Sequence, residues 1–230
     1  MDAWTTNSVQ AADRVSAFLW KVYGWMAVGL GLTALVAFAV AGSPDLLRVL
    51  IGNRLVFFAL VIAELGLVFF MSARADRLAP GTAAGLFALY SALNGVTLSV
   101  ILLAYTGESV TMTFVVTAGM FGALALFGST TKRSLAGAGQ FFMMGLVGLI
   151  LASIIGMFWH NDALQFLISV VGVIVFTGLT AWDAQRLKQM ALALPAGQVG
   201  AYAVVGALSL YLDFINLFLM LLRFTGSRRD

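Results

Sequence analysis

The sequence predicts an all-α membrane protein with seven transmembrane helices, and three observations carry that prediction. Of the 230 residues, 61% are hydrophobic and 10% are charged, with a mean hydropathy of +1.00. A soluble domain carries about 45–50% apolar and about 25% charged residues, so this chain could not cover a globule with a wettable surface. The apolar residues fall into seven runs close to the roughly 20 residues that a spanning helix needs. Lipid cannot satisfy the open edge of a sheet, and the runs far exceed the roughly 10-residue strands of a barrel, so the segments must be helices.

The first run, Val22 to Ala41, follows a polar stretch of mixed charge, Met1 to Lys21. That stretch lacks the basic start and short apolar core of a cleaved signal peptide, so the first run is expected to be retained. Gly42 to Asp45 (GSPD) breaks it, and the second run is Leu55 to Met71. Arg74 to Gly81 separates this from Thr82 to Tyr105, and Thr106 to Ser109 leads into Thr111 to Phe127. Ser129 to Ser134 precedes Gly139 to Phe158. His160, read as a solvated loop residue, opens the break before Ala163 to Trp182, and a turn from Pro195 to Gly197 precedes Gly200 to Leu222. Each break is built from turn formers and charges. The expected organisation is a polar N-terminal segment (1–21), one seven-helix domain (22–222) and a short basic tail (223–230).

Zero cysteines exclude disulfides, thiol nucleophiles and thiolate metal sites. The 13 Lys and Arg residues are scattered in ones and twos, so they form no patch for nucleic acid and read instead as topology signals. With seven spans, Arg14, Lys21, Arg74, Arg77, Lys132, Arg133, Arg186 and Lys188 share the N-terminal side, against Arg48, Arg54, Arg223, Arg228 and Arg229. The N-terminus is therefore expected in the cytoplasm. A re-entrant last segment would move the C-terminal arginines to the same side, but Gly200 to Leu222 is long enough to cross. Gly148, Ala152 and Gly156 repeat at i+4, the spacing that lets membrane helices approach closely. No glycine cluster carries a Walker lysine, and no Ser-His or Asp-Asp protease motif is present. No enzyme activity, catalytic residue or cofactor is expected.

The informative residues are the ionisable ones within apolar runs, since each costs roughly 2.5–3.5 kcal/mol at a helix centre on insertion scales. Glu64 lies mid-way along the second run, Asp213 mid-way along the seventh, and Asp183 where the sixth passes into AQRLKQM. Asn216 shares nearly the same face as Asp213. The apolar periodicity continues through Leu187 and Met190, which would place Asp183 about two turns inside the helix end. A short turn near Pro195 could then bring Asp183 and Asp213 together, with tilt making up the unequal depths. Two such carboxyls could not both ionise cheaply, so one proton would be shared and titration would belong to the pair. Carboxylate oxygens also suit hard cations such as Ca²⁺. A site holding either a proton or a cation is a pH-dependent cation gate. The alternative is structural: hydrogen bonds between helices, or pairing of Asp183 with Arg186. A mid-span Glu64 can likewise serve as an interhelical hydrogen-bonding group.

Asn94 to Thr106 (NGVTLSVILLAYT), Gly178 to Leu187 (GLTAWDAQRL) and Leu210 to Phe218 (LYLDFINLF) resemble the signature stretches of the Bax inhibitor-1 family, in order and over nearly the whole chain. The resemblance implies a seven-helix bundle with the C-terminal helix central, acting as a pH-sensitive Ca²⁺ leak with a role in calcium homeostasis or stress. It implies that an aspartate pair governs opening, at positions matching Asp183 and Asp213, where Ca²⁺ would bind transiently as the transported ion. It also implies an arginine from the second helix latched to the sixth-helix acid in the closed state; Arg74 is the candidate, with Arg77 beside it. Trp182 and Ala184 depart from the family's Tyr-Asp-Thr-Gln wording, whereas Asp183 and Gln185 keep it. Bacterial relatives imply an inner-membrane location and a second role, binding and restraining a membrane-anchored FtsH-like protease without conducting ions.

Overall fold

The computed structural model describes residues 3–159, 161–195 and 199–229; His160 and Gly197 lie outside the described residues. Among the described residues, seven helices are long and apolar enough to cross a membrane. In chain order they are α1 (Ala3–Ala41), α2 (Arg54–Ala73), α3 (Pro80–Ala104), α4 (Gly107–Thr130), α5 (Ala136–Phe158), α6 (Asp162–Ala193) and α7 (Val199–Thr225). No strand occurs among the described residues, where pairing outside helices is confined to an isolated bridge between Tyr105 and Arg228.

The expected runs lie inside these helices except at Tyr105, which follows α3, and two helices outgrow them. α1 is continuous from Ala3, so the helix begins well before the apolar run at Val22. α6 runs 11 residues past Trp182, to Ala193. In both, polar residues occupy only part of the helix surface while Phe18, Leu187 and Ala191 stay buried. The helix thus keeps one packed face after its outer faces turn polar. The GSPD break is itself helical: Ser43 caps Pro44–Leu46, with Pro44 in the first turn, and a π-helical turn Leu47–Ile51 follows. Asn53 Oδ1 then accepts from the Leu55 and Val56 amides, at 3.0 and 3.5 Å, and starts α2.

The chain folds as two compact units, and α6 and α7 contribute to both: residues 1–104 with 188–211, and residues 105–187 with 212–230. In the first, α1 packs on α3, and the glycines set the approach. A Cβ on Gly95 would come to 2.7 Å from the Thr33 carbonyl oxygen and 2.8 Å from Val36 Cβ. Phe18, Val22, Phe87, Val204, Leu208 and Tyr211 form its core. The Tyr211 ring meets Phe87 and Tyr90 edge-on, each at 5.7 Å. Arg14 ties the polar start of α1 to the end of α6 by donating to the Leu194 carbonyl at 3.3 Å.

In the second unit, Leu149, Ile168, Val175, Phe176, Leu179, Leu217 and Met220 make one apolar cluster from α5, α6 and α7. Gly128 abuts the Ala181 backbone and Gly172 abuts Met220. The expected Gly148 contact is not found. A Cβ there would meet nothing within 4 Å, whereas Gly156 does approach α6, with a Cβ there 3.0 Å from Gln165 Nε2, as does Gly145, against Val175 Cγ2 at 3.1 Å, and Ala152 packs on the apolar cluster. Spacing placed small residues on one face without saying which face met a neighbour. At the far end of α7, the Thr106 amide donates to the Ser227 carbonyl at 3.1 Å. α7 is thus an unbroken helix of 27 residues, about 40 Å at 1.5 Å per residue, and it crosses rather than turning back.

Burial separates α7 from the rest. Of its spanning window 67% is buried, against at most 39% in any other span. Leu35, Phe38, Phe69, Leu126, Phe141 and Met144 are exposed instead, as helices surrounded by lipid present them. The C-terminal helix is the buried one, and the protein is an integral membrane protein.

Candidate functional site

Because α6 continues to Ala193, Asp183 sits ten residues before its end, nearly three turns inside the helix. Asp213 is the fifteenth residue of α7, counting from Val199, and is 6% exposed. Both carboxyls belong to the second unit. Asp183 Oδ1 and Asp213 Oδ2 are buried and have no hydrogen-bond partner among the described residues.

The nearest cation to Asp183 is Arg186, one turn on. Its Nη1 lies 3.8 Å from Asp183 Oδ1, an ion pair too long for a hydrogen bond. The Arg186 side chain is 55% exposed and lies over the Trp182 ring at 5.6 Å. Solvent and the ring thus compete for this guanidinium, and it leaves the pair incompletely neutralised.

Gln185 does the local positioning. Its Oε1 accepts from the Leu135 amide at 2.7 Å, and its Nε2 donates to the Arg133 carbonyl at 2.8 Å. Both groups lie in the connection before α5, so the helix carrying Asp183 is clamped to the loop carrying Lys132 and Arg133. Asn216 turns back on its own helix: Nδ2 donates to the Leu212 carbonyl at 2.8 Å.

Glu64 belongs to the first unit, in a separate polar network. Its Oε2 accepts from Asn94 Nδ2 at 3.3 Å and its Oε1 from the Thr97 hydroxyl at 3.0 Å. Asn94 Oδ1 accepts from the Tyr211 hydroxyl at 2.9 Å, and that hydroxyl lies 2.6 Å from Thr33 Oγ1. Thr33 also donates to the Ser91 carbonyl at 2.8 Å. This is interhelical hydrogen bonding, and it joins α1, α2, α3 and α7. Arg74 closes α2, with its guanidinium over the Phe70 ring at 5.2 Å, and Arg77 pairs with Asp76 at 3.6 Å.

Sequence reasoning singled out both acids and Glu64 but missed Thr33, Thr97 and the network roles of Asn94 and Tyr211. A signal was present, because Asn94 and Tyr211 are polar residues inside apolar runs and within two of the quoted motifs. What was missing was partnership, which only tertiary contact supplies.

The model of the family described as inhibitor of apoptosis-promoting Bax1 matches residues 15–230. The inner membrane protein YbhL of Escherichia coli K12 is 48% identical over 224 residues, covering 96% of each chain. A protein of Borreliella burgdorferi is 44% identical and covers 93% of each, and one of Deinococcus radiodurans is 42% identical, covering 94% of this chain and 93% of that one. With the family model covering residues 15–230, a relative 48% identical along nearly its whole length, and the motif glutamine holding the loop before α5, the chain belongs to the Bax inhibitor-1 family.

Proposed function

We propose that the protein is a pH-sensitive calcium leak of the bacterial inner membrane, with its N-terminus in the cytoplasm, in which Asp183 and Asp213 hold either a shared proton or a passing cation. The supporting observation is the pair of buried carboxyl oxygens, Asp183 Oδ1 and Asp213 Oδ2, which lie in one compact unit and are each without a hydrogen bond among the described residues. An isolated buried polar oxygen is costly. A proton between the carboxyls satisfies one oxygen as donor and the other as acceptor. Its loss leaves two like charges in a poorly hydrated place, and these either separate or attract a cation.

Two carboxylates supply at most four of the six to eight oxygens that Ca²⁺ takes, so water would complete its shell. Such a site lets an ion rest and leave, which suits passage rather than storage.

The test is Ca²⁺ flux into proteoliposomes. Wild-type protein should conduct with a pH-dependent rate, and Asp183→Asn and Asp213→Asn should each abolish that dependence. Unchanged flux and pH response in both variants would sink the proposal. Liposomes tight to Ca²⁺ at every pH would favour the non-conducting regulator of a membrane protease.

A further inference from the structure

Where α4 begins and α7 ends, the second unit opens a cleft of about 550 Å³, well within the range of small-molecule sites. Both helix termini are ends of spans, so the cleft opens at the depth where lipid headgroups meet acyl chains. Met112, Val116 and Leu221 form an apolar wall, and Glu108, Ser109 and Thr113 supply polar groups.

The hydroxyl protons can be assigned in turn. Thr225 spends its proton on the Leu221 carbonyl at 2.9 Å, and Thr106 donates to Ser109 Oγ at 3.0 Å. Ser109 Oγ also accepts from the Ser227 amide at 3.0 Å, which leaves its own proton to give. Thr111 and Thr117 donate back to the carbonyls of Gly107 and Thr113. Thr113 itself, 5% exposed, makes no side-chain hydrogen bond among the described residues, although it lines the cleft. Glu108 is exposed and has no ion pair among the described residues. Arg228 follows Ser227 in sequence and its backbone bridges to Tyr105, and Arg229 and Arg223 are exposed at the same end of the chain.

The cleft therefore offers a carboxylate, two hydroxyls with protons to donate and an apolar wall. We propose that it binds an aminophospholipid. The headgroup ammonium would pair with Glu108, the phosphate would accept from Ser109 and Thr113, and the first acyl methylenes would lie along Met112, Val116 and Leu221. An anionic glycerol headgroup offers Glu108 no cation, and a choline headgroup offers it no N–H.

The full chain, delipidated and offered equal amounts of phosphatidylethanolamine, phosphatidylcholine and phosphatidylglycerol, is examined by native mass spectrometry. The amine lipid should be retained about tenfold over the choline lipid, the worth of one charge-assisted hydrogen bond. Glu108→Gln should remove that preference, and Thr113→Val should lower retention of both lipids while leaving their ratio unchanged. Equal retention by the wild type, or an undiminished preference in Glu108→Gln, overturns the proposal. Soluble phosphoethanolamine binding as tightly as the lipid would overturn it too, by making the free headgroup the ligand.

Discussion

The Tyr211 hydroxyl donates to Asn94 Oδ1 at 2.9 Å, and through that amide α7 is linked to Glu64 on α2. With Oδ1 occupied by Tyr211, Asn94 has its nitrogen free to face the carboxylate. Tyr211→Phe strands Asn94 Oδ1 in a buried place and should cost about 1–3 kcal/mol, read as a lowered melting temperature in detergent. Glu64→Leu removes the acceptor of the buried Asn94 amine and should cost a similar amount. Because both changes act on Asn94, the double variant should depart from additivity by more than about 0.5 kcal/mol. Strict additivity would mean that the network does not act as a unit.

Close approach of α1 and α3 depends on Gly95. Gly95→Ala pushes a methyl group to 2.7 Å from a backbone oxygen, and overpacking of this kind costs about 1–3 kcal/mol. Gly119→Ala, where a Cβ meets nothing within 4 Å, should shift stability by less than about 0.5 kcal/mol. Equal melting temperatures for the two variants would refute the packing.

Gln185 holds the loop before α5 with one acceptor and one donor. Gln185→Ala frees the Leu135 amide and the Arg133 carbonyl together, so amide hydrogen exchange at Leu135 should accelerate by about tenfold. Gln185→Glu keeps the acceptor and should protect Leu135 while losing the bond to Arg133. Unchanged exchange in the alanine variant would deny Gln185 its clamping role.

The pH response of the proposed leak has a sign and a limit. Raising the pH removes the shared proton and sets two carboxylates against each other, so flux should rise with pH. One proton permits at most about a tenfold change per pH unit. A steeper dependence would require further titrating groups, and a fall in flux with rising pH would reverse the gating scheme.

The fold was legible because lipid enforces it. Seven apolar runs mark seven helices whatever their neighbours. The ends of α1 and α6 were not legible, since a hydropathy run stops at the first polar face while the helix continues on its buried one. Asp183 and Asp213 stood out because a membrane penalises any acid, and that penalty is visible residue by residue. Tyr211 and Asn94 did not stand out as partners, because hydroxyl and amide groups are tolerated in spans and their pairing depends on which faces meet. Gly148 misled for the same reason: a small residue permits contact without requiring it.

The unbroken course of α7 has an electrical consequence. Asp213 lies about 21 Å along a helix of about 40 Å, so a proton reaching it from either side crosses about half of the transmembrane field. Each full elementary charge is worth about 2.3 kcal/mol per 100 mV, and half of that changes proton occupancy by about sevenfold. In liposomes carrying an imposed diffusion potential, the pH midpoint of the leak should therefore move with voltage, so that the acid that senses protons also senses the energised state of the membrane.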